Sequence, residues 1–511
     1  MNCIDAFDRS VRCHPETDAV RTDTGRSYTY AELDERTDRL ATALESLAAG
    51  ERIATLANNC SETIETMIAS HKRGVGNVQL PFMASPQGLA GMLEPTNASV
   101  LVFDDANVEK ALEVFDRTDL SIGVSIDGTE TGRNGIHDYH ELLENAPAER
   151  PDPHGNEHGV LFTSGTTSVS KAVPFDQDQL WYGSTQVIME MGVDTGDVAL
   201  LTTPWYHMVT TDAWILPHLQ AGATIVVQGS FDPSETLELV DEHGANGLLA
   251  VPTQLHALLD ETKEGEYDLD TLSYIRTGGS IVTEQLSEMV HEHLCEGLYN
   301  TYGLTEGGPN LTFARPEAQH EKPGTIGSES YMWELRVVES AAHAGEFDPT
   351  AEVDAGETGE VIGRSPGMCE GYLGRPDATR NLLVDGWLRT GDVARVDGDG
   401  FLYIVDRVDN MIISGGENVY PQEVEEVLAT HDAVDAVAVV GLDDEVWGER
   451  IAAVVRTNDE SLDSAALEAF CKESTELADF KRPREYTIVD RPLPRTDTGK
   501  IRRAEVHTEF F

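Results

Sequence analysis

Residues Leu161–Phe175 read LFTSGTTSVSKAVPF. An apolar strand end runs here into small hydroxyl and glycine residues and then into a single lysine. Such a loop brings backbone N–H groups and hydroxyls close to phosphate oxygens, and Lys171 adds a point charge. The G-x-x-x-x-G-K-[ST] spacing of a Walker loop is absent. Taken by itself, a turn rich in Ser, Thr and Gly is more often an ordinary connection, so its meaning depends on what surrounds it.

From about Ala19 to Leu101, short apolar strand-like runs alternate with helical patterns such as Tyr30–Leu47 and Thr63–Gly74. The same alternation returns between Val198 and Leu298, with Ala223–Gln228 reading as a strand and Pro233–His243 as a helix. That rhythm predicts α/β layers with largely parallel sheets. Between Thr325 and Tyr403 glycines at 356, 359, 363, 367, 371 and 374 punctuate short strands, the pattern of a small barrel-like β region. After Arg407 the pattern becomes α+β, with helices over Pro421–Ala429 and Ser464–Glu473 and strands over Val434–Gly441 and Ile451–Arg456. The expected fold is therefore multidomain α/β. A large N-terminal domain, residues 1–408, holds two α/β layered subdomains and the small β-barrel region, and a small α+β C-terminal domain spans 409–511.

Length agrees with this division, because 511 residues exceed the roughly 250–300 at which a single core stops growing. The formal net charge of −55 is spread along the whole chain, which argues against nucleic acid or an anionic membrane as a partner. Only eight of the 36 basic residues are lysine. High acidity with scarce lysine is expected of a protein working in concentrated salt, where screening within a few ångströms quenches self-repulsion. The six cysteines, Cys3, Cys13, Cys60, Cys295, Cys369 and Cys471, show no C-x-x-C spacing and read as free thiols. The start of the chain lacks a basic stretch followed by an apolar core, and no apolar run is long enough to span a bilayer. The expectation is a cytoplasmic protein without a membrane span.

Four further segments follow the hydroxyl-rich loop in order: YNTYGLTEGG (Tyr299–Gly308), GWLRTGD (Gly386–Asp392), DRVDNMIISGGENVYPQEVE (Asp406–Glu425) and LPRTDTGKIRR (Leu493–Arg503). Together the five segments resemble the superfamily of acyl-CoA synthetases, peptide-synthetase adenylation domains and luciferases, the adenylate-forming enzymes. The resemblance covers essentially the whole chain. It implies activation of a carboxylic acid by ATP, with Mg²⁺, to an acyl-adenylate, and transfer of the acyl group to the thiol of coenzyme A. It also implies that the C-terminal domain moves between the two steps, and homodimer is the oligomeric state to consider.

The roles that the resemblance implies attach to single residues. Thr163, Ser164, Gly165, Thr166, Thr167 and Lys171 match the loop that holds the ATP β- and γ-phosphates. Gly278, Gly279 and Ser280 match the adenine-side turn, and Asn300, Thr301, Tyr302, Gly303 and Thr305 the stretch along the adenine and α-phosphate. Glu306 matches the acidic residue near Mg²⁺, with Thr163 as a second metal contact, a sensible choice because Mg²⁺ is a hard cation that usually takes one or two protein oxygens beside phosphates. Asp392 and Arg407 match the ribose contacts, and Lys500 the catalytic lysine. A carboxylate attacking the α-phosphate brings two anions together, and a cation is needed as the transition state forms. His207 matches the residue bordering the acyl pocket, and Asp409 the hinge. Gly415, Gly416, Glu417 and Asn418 match the loop turned inward for thioester formation, with Trp447 near the phosphopantetheine and Lys481 near the nucleotide.

The chain departs from the family loop at Ser168, Ser170 and Ala172, where glycine, proline and glycine are usual. Losing two glycines restricts positive φ and losing the proline loosens a preset turn. Asn410 stands where an acidic residue is common. No carrier-protein segment with a phosphopantetheine-accepting serine follows Phe511, which favours an acyl-CoA synthetase over a peptide-synthetase module. The alternatives are a stand-alone ligase loading a carrier protein and a non-catalytic nucleotide-binding paralogue. The expected pocket walls, Trp205, His207, Met208, Val209, Thr301 and Gly303, contain no charged residue, which favours a fatty or aromatic monocarboxylic acid.

Overall fold

The computed structural model describes residues 1–163, 170–280, 282–340, 347–415, 417–444, 446–459, 461–474, 477–495 and 501–511. By compactness the chain divides into two units, residues 1–335 with 363–388, and residues 336–362 with 389–511.

The alternating rhythm of the N-terminal half becomes two sheets with parallel centres, both in the first unit. The larger has nine strands in the order Ser328–Glu329, Thr312–Ala314, Gly297–Tyr302, Tyr274–Gly278, Gly247–Leu249, Val198–Leu201, Thr224–Val227, Asp18–Thr22 and Ser27–Thr29. Its pairings are parallel from Gly297–Tyr302 through to Asp18–Thr22 and antiparallel at both edges. The smaller has seven strands in the order Ile136–Asp138, Ile122–Ser125, Ala98–Phe103, Arg52–Leu56, Asn77–Gln79, Glu157–Phe162 and Ala172–Asp176. Only its last pairing is antiparallel. In such sheets ligands bind at the carboxyl ends of the strands, where the connecting loops gather.

Local chemistry explains where helices begin. Thr29 and Glu32 form a reciprocal capping box, with Glu32 N–H donating to Thr29 Oγ1 at 3.2 Å and Thr29 N–H donating to Glu32 Oε2 at 2.9 Å. Tyr30–Leu47 follows it as a helix, burying Leu33, Leu40, Ala41 and Leu44. The next helix, Ser61–Arg73, is buried on every side. Its charges survive burial because each has a partner. Lys72, one of the eight lysines, lies 2.6 Å from both Asp34 and Asp38, Arg73 lies 3.1 Å from Glu45, and Glu65 lies 2.9 Å from Arg36. Burial nevertheless pushes the Glu65 carboxyl up to about 7.

The glycine-punctuated region forms a five-stranded sheet in the order Glu334–Val338, Thr358–Arg364, Trp387–Val396 and Leu383–Val384, with Leu402–Arg407 also pairing Trp387–Val396. Within it a seven-residue helix, Pro376–Leu382, interrupts the strands. The C-terminal sheet is built on a long antiparallel ribbon, Ala436–Asp444 with Gly448–Arg456, and Glu485–Val489 adds in parallel. Pro421–Ala429 and Ser464–Glu473 cover one face through Val424, Leu428, Val439, Val455 and Leu467. Val506 of the terminal helix Arg503–Phe510 packs with Val440 and Val454 on the other. All six cysteines are free thiols, and no helix among the described residues is long and apolar enough to cross a membrane.

Candidate active site

Paired strands flank the hydroxyl-rich stretch. Glu157–Phe162 pairs antiparallel with Ala172–Asp176, with Phe162 opposite Ala172. Thr163 and Lys171 close its neck, since Thr163 N–H donates to the Lys171 carbonyl at 3.1 Å and Lys171 N–H donates to Thr163 Oγ1 at 3.2 Å. A strand and not a helix follows the loop, so no helix dipole adds to the charge of Lys171. Ser164, Gly165, Thr166, Thr167 and the departure at Ser168 lie outside the described residues.

Glu306 sits on a one-turn 3₁₀ segment, Thr305–Gly307, and is partly exposed. Its carboxylate accepts a hydrogen bond from the Tyr372 hydroxyl, and its backbone carbonyl accepts one from Cys369 N–H at 2.9 Å. The Lys171 ammonium lies 4.8 Å from the centroid of the same tyrosine ring. Leu373 N–H donates to the Ala172 carbonyl at 3.0 Å, so the short stretch 369–373 braces the strand pair on one side and the Glu306 turn on the other. Lys171 and Glu306, distant from each other in sequence, therefore meet on Tyr372. Sequence reading missed this tyrosine, whose one signal was an aromatic residue among the glycines at 367, 371 and 374.

No group of three or more His, Cys, Asp or Glu residues placed to hold a metal occurs among the described residues. A partly exposed carboxylate that shares a tyrosine with a lysine suits a cation that keeps water and phosphate oxygens as its other ligands. Glu306 fits that role, with the Thr163 hydroxyl as the second candidate.

On the adenine side, Gly278 and Thr301 are partners across parallel strands, and Thr301 Oγ1 donates to the Thr277 carbonyl at 3.2 Å. Gly279 adopts φ +77°, a conformation that favours glycine, and is exposed together with Ser280. Asn300 is buried, with its amide donating to the Thr325 carbonyl at 3.0 Å, so this side chain holds a neighbouring loop. Tyr302, Gly303 and Thr305 are at least partly exposed at the strand end.

On the acyl side, His207 precedes a helical turn, Met208–Thr210, that continues into a π-helical segment, Thr211–Ile215. Burial pushes the His207 imidazole down to about 4, so it is neutral at physiological pH. Its ring lies 4.4 Å from that of Tyr206. Trp205 is locked in place, its N–H donating to Asn59 Oδ1 at 2.8 Å and its indole to the Ala57 carbonyl at 2.7 Å. Met208 is buried and Val209 half-buried. The expected walls held no charge, yet a buried charge is bonded to the helical segment that follows His207. Fully buried Arg276 donates to the Ala213 carbonyl and to Asn310 Oδ1, and burial pushes it down to about 9. Arg276 thereby ties the segment after His207 to the segment after Gly303.

In the second unit Asp392 and Arg407 are direct partners across antiparallel strands, with Arg407 Nη1 3.0 Å from Asp392 Oδ1. Asp409 is exposed on a 3₁₀ turn, Val408–Asn410. Gly415, at φ +63°, donates its N–H to the Trp447 carbonyl at 2.7 Å, and a Cβ there would lie 2.7 Å from the indole. Trp447 is itself 52% exposed. Glu417 and Asn418 lie on the strand Glu417–Val419, and Gly416 lies outside the described residues. Lys481 is engaged by Glu423. Lys500 also lies outside the described residues, in a stretch whose flanks, Arg495 and Ile501, form an antiparallel bridge.

Comparison with known proteins bears on what this arrangement does. The family described as AMP-binding enzyme matches residues 7–373, and the AMP-binding enzyme C-terminal domain matches residues 423–500. A feruloyl-CoA synthase of Amycolatopsis sp is 34% identical over 510 residues, 98% of each chain. A fatty acid–[acyl-carrier-protein] ligase of Streptomyces coeruleorubidus is 31% identical over 509 residues, 97% of this chain and 94% of the relative. Among solved structures, the o-succinylbenzoate CoA synthetase of Bacillus subtilis in complex with its acyl-adenylate intermediate superposes with a TM-score of 0.82 at 26% identity, covering 98% of this chain and 97% of the other.

Proposed function

The chain belongs to the AMP-binding enzymes, and from that footing we propose that it is an AMP-forming acyl-CoA synthetase acting on an aromatic or fatty monocarboxylic acid. One observation on the molecule supports this most directly: the Lys171 ammonium and the Glu306 carboxylate lie at one tyrosine without forming an ion pair with each other among the described residues. Opposite charges gathered on one side chain without neutralising each other suit a polyphosphate and its cation.

In the first half-reaction the acid's carboxylate attacks the α-phosphorus and diphosphate leaves. In the second, a thiol attacks the acyl carbonyl and AMP leaves. Lys171, Thr163 and the loop residues 164–167 take the phosphates, Gly279, Ser280 and the stretch 300–305 the adenine side, and Asp392 and Arg407 the ribose. Glu306 and Thr163 would hold Mg²⁺, which would supply neutralising charge beside the phosphates. Lys500 serves the first half-reaction, Gly415–Asn418 and Trp447 the second, and movement at Asp409 exchanges them, with 409–511 as the mobile domain. A neutral His207 at the acyl wall offers no cation to the substrate, consistent with a monocarboxylic acid whose far end is apolar.

A screen for diphosphate release with ATP and a panel of aryl and alkyl acids, with and without CoA, tests the reading. Release dependent on one acid class and matching thioester formed with CoA is the expected result. Adenylate that forms but transfers to a carrier protein in preference to CoA would favour the ligase alternative, and no release with any acid would favour a nucleotide-binding paralogue.

The net charge of −55 with eight lysines also supports a salt-rich cytoplasm as the working environment. Melting in molar KCl is expected about 10 °C or more above melting in dilute buffer, because screening removes the self-repulsion. Equal melting temperatures in both would sink the halophilic assignment.

A further inference from the structure

Tyr372 lies at the meeting point of two groups of opposite charge. Its ring carries the Lys171 ammonium 4.8 Å from the centroid, and its hydroxyl donates to the Glu306 carboxylate. The tyrosine is 9% exposed, and its own N–H donates to Thr379 Oγ1 at 2.9 Å. The backbone on either side is fixed too, by Cys369 N–H on the Glu306 carbonyl and Leu373 N–H on the Ala172 carbonyl. The segment that presents this ring is thus anchored separately to each of the two elements it bridges.

Each charge has Tyr372 as a partner and neither is neutralised by the other in an ion pair among the described residues. The one aromatic side chain gives the cation a π face and the anion a hydroxyl donor. One carboxylate oxygen of Glu306 is then held by the phenol, and the side chain is ordered before a metal binds.

We propose that Tyr372 is a positioning residue that holds the Lys171 ammonium on its ring and orders the Glu306 carboxylate for the cation that accompanies ATP. This rests on the reading of Lys171 and Glu306 as phosphate and Mg²⁺ groups given above. It assigns Tyr372 no contact with the reacting atoms.

The test measures ATP binding by titration calorimetry without the acid substrate, once with Mg²⁺ and once with EDTA, so that no turnover is needed. In Tyr372→Phe the ring remains and the hydroxyl is lost. The strengthening of ATP binding by Mg²⁺ should fall about tenfold, the scale of one hydrogen bond to a charged group, while binding in EDTA stays within about twofold of the parent. In Tyr372→Ala the ring that carries the Lys171 ammonium is lost as well, and binding in EDTA should weaken by about fivefold or more too. Glu306→Gln serves as the reference, and on that background Tyr372→Phe should change nothing further.

A Tyr372→Phe protein that melts normally and keeps the full Mg²⁺ effect overturns the proposal, as does an equal loss with Mg²⁺ and with EDTA in both tyrosine variants. If Glu306→Gln itself keeps the full Mg²⁺ effect, the metal reading of Glu306 fails first and takes the proposal with it. Should Tyr372→Phe not fold, Tyr372→Leu, which keeps apolar bulk without a hydroxyl, is read against the same two outcomes.

Discussion

Lys500→Ala is expected to slow adenylate formation by about a thousandfold, while transfer of the acyl group from a supplied acyl-adenylate to CoA changes by less than about tenfold. The first half-reaction drives an anionic carboxylate onto an anionic α-phosphate, and the barrier rises steeply unless a cation meets the charge that develops. This chain has few cations to offer. With a net charge of −55 and eight lysines, the general field opposes the approach of two anions, so a single placed ammonium carries more of the task than it would in a neutral protein. The second half-reaction expels AMP from an adenylate already made and needs no such neutralisation of an incoming anion. Separate single-turnover measurements of the two steps decide it. Equal losses in both would mean that Lys500 supports the fold or the nucleotide site in general and does not act on one step.

The parts of the fold that could be read in the sequence are those where local chemistry and periodicity agree. Tyr30–Leu47 forms over the expected residues because Thr29 and Glu32 cap it and an apolar stripe runs down one side. Pro233–His243 does so because Asp232 caps it, proline opens it and Gly244 closes it. Pro421–Ala429 and Ser464–Glu473 likewise begin on a proline or just after a capping aspartate. The helix expected from Thr63 begins instead at Ser61, and its charged side chains gave no sign of being buried. Nothing in the segment itself says that Asp34, Asp38 and Glu45 arrive from another helix to pair Lys72 and Arg73. The helix Pro376–Leu382 was hidden for a related reason, since so short a segment among glycines carries little periodicity.

The site divides along the same line. Motif spacing singled out Asp392 and Arg407 separately, and only strand register sets them opposite one another at 3.0 Å. Tyr372 is remote in sequence from both Glu306 and Lys171, and its place between them comes from the loop 369–373 crossing both elements. Arg276 is the plainest case. In a strand an arginine reads as a surface residue, yet this one is buried among neutral acceptors, the Ala213 carbonyl and Asn310 Oδ1, that come from two other segments. Such contacts arise from tertiary topology, to which local patterns are blind.

The second large effect is expected at the hinge. On the proposed reading Gly415–Asn418 and Lys500 serve different half-reactions by turns. That proposal needs a residue between the five-stranded sheet and the α+β tail to absorb the rotation that exchanges them. Asp409 stands there on a single 3₁₀ turn, exposed, its side chain making no hydrogen bond or ion pair among the described residues. Its neighbour Asp406 behaves differently. Only 4% exposed, Asp406 accepts from Arg407 N–H at 2.6 Å, from the Asn410 amide at 2.7 Å and from Gln422 N–H at 2.8 Å. Its carboxylate thus grips the chain on both sides of position 409, and a rotation there must release the bonds to Asn410 and Gln422. Proline at 409 locks φ into a single narrow range and removes a donor. The backbone that could turn would then be held in one arrangement, with Asp406 still clamping its flanks. Asp409→Pro should therefore leave adenylate formation within about threefold of the parent and slow thioester formation by about a hundredfold, as expected when a conformational step is blocked. Asp409→Ala, which alters the side chain and leaves φ free, should slow neither step by more than about threefold. If Asp409→Pro ran both half-reactions at the parent rate, the rotation would have to occur at another residue or be unnecessary. If Asp409→Ala lost thioester formation as fully as the proline variant, the carboxylate and not the backbone freedom of residue 409 would be what the second step requires.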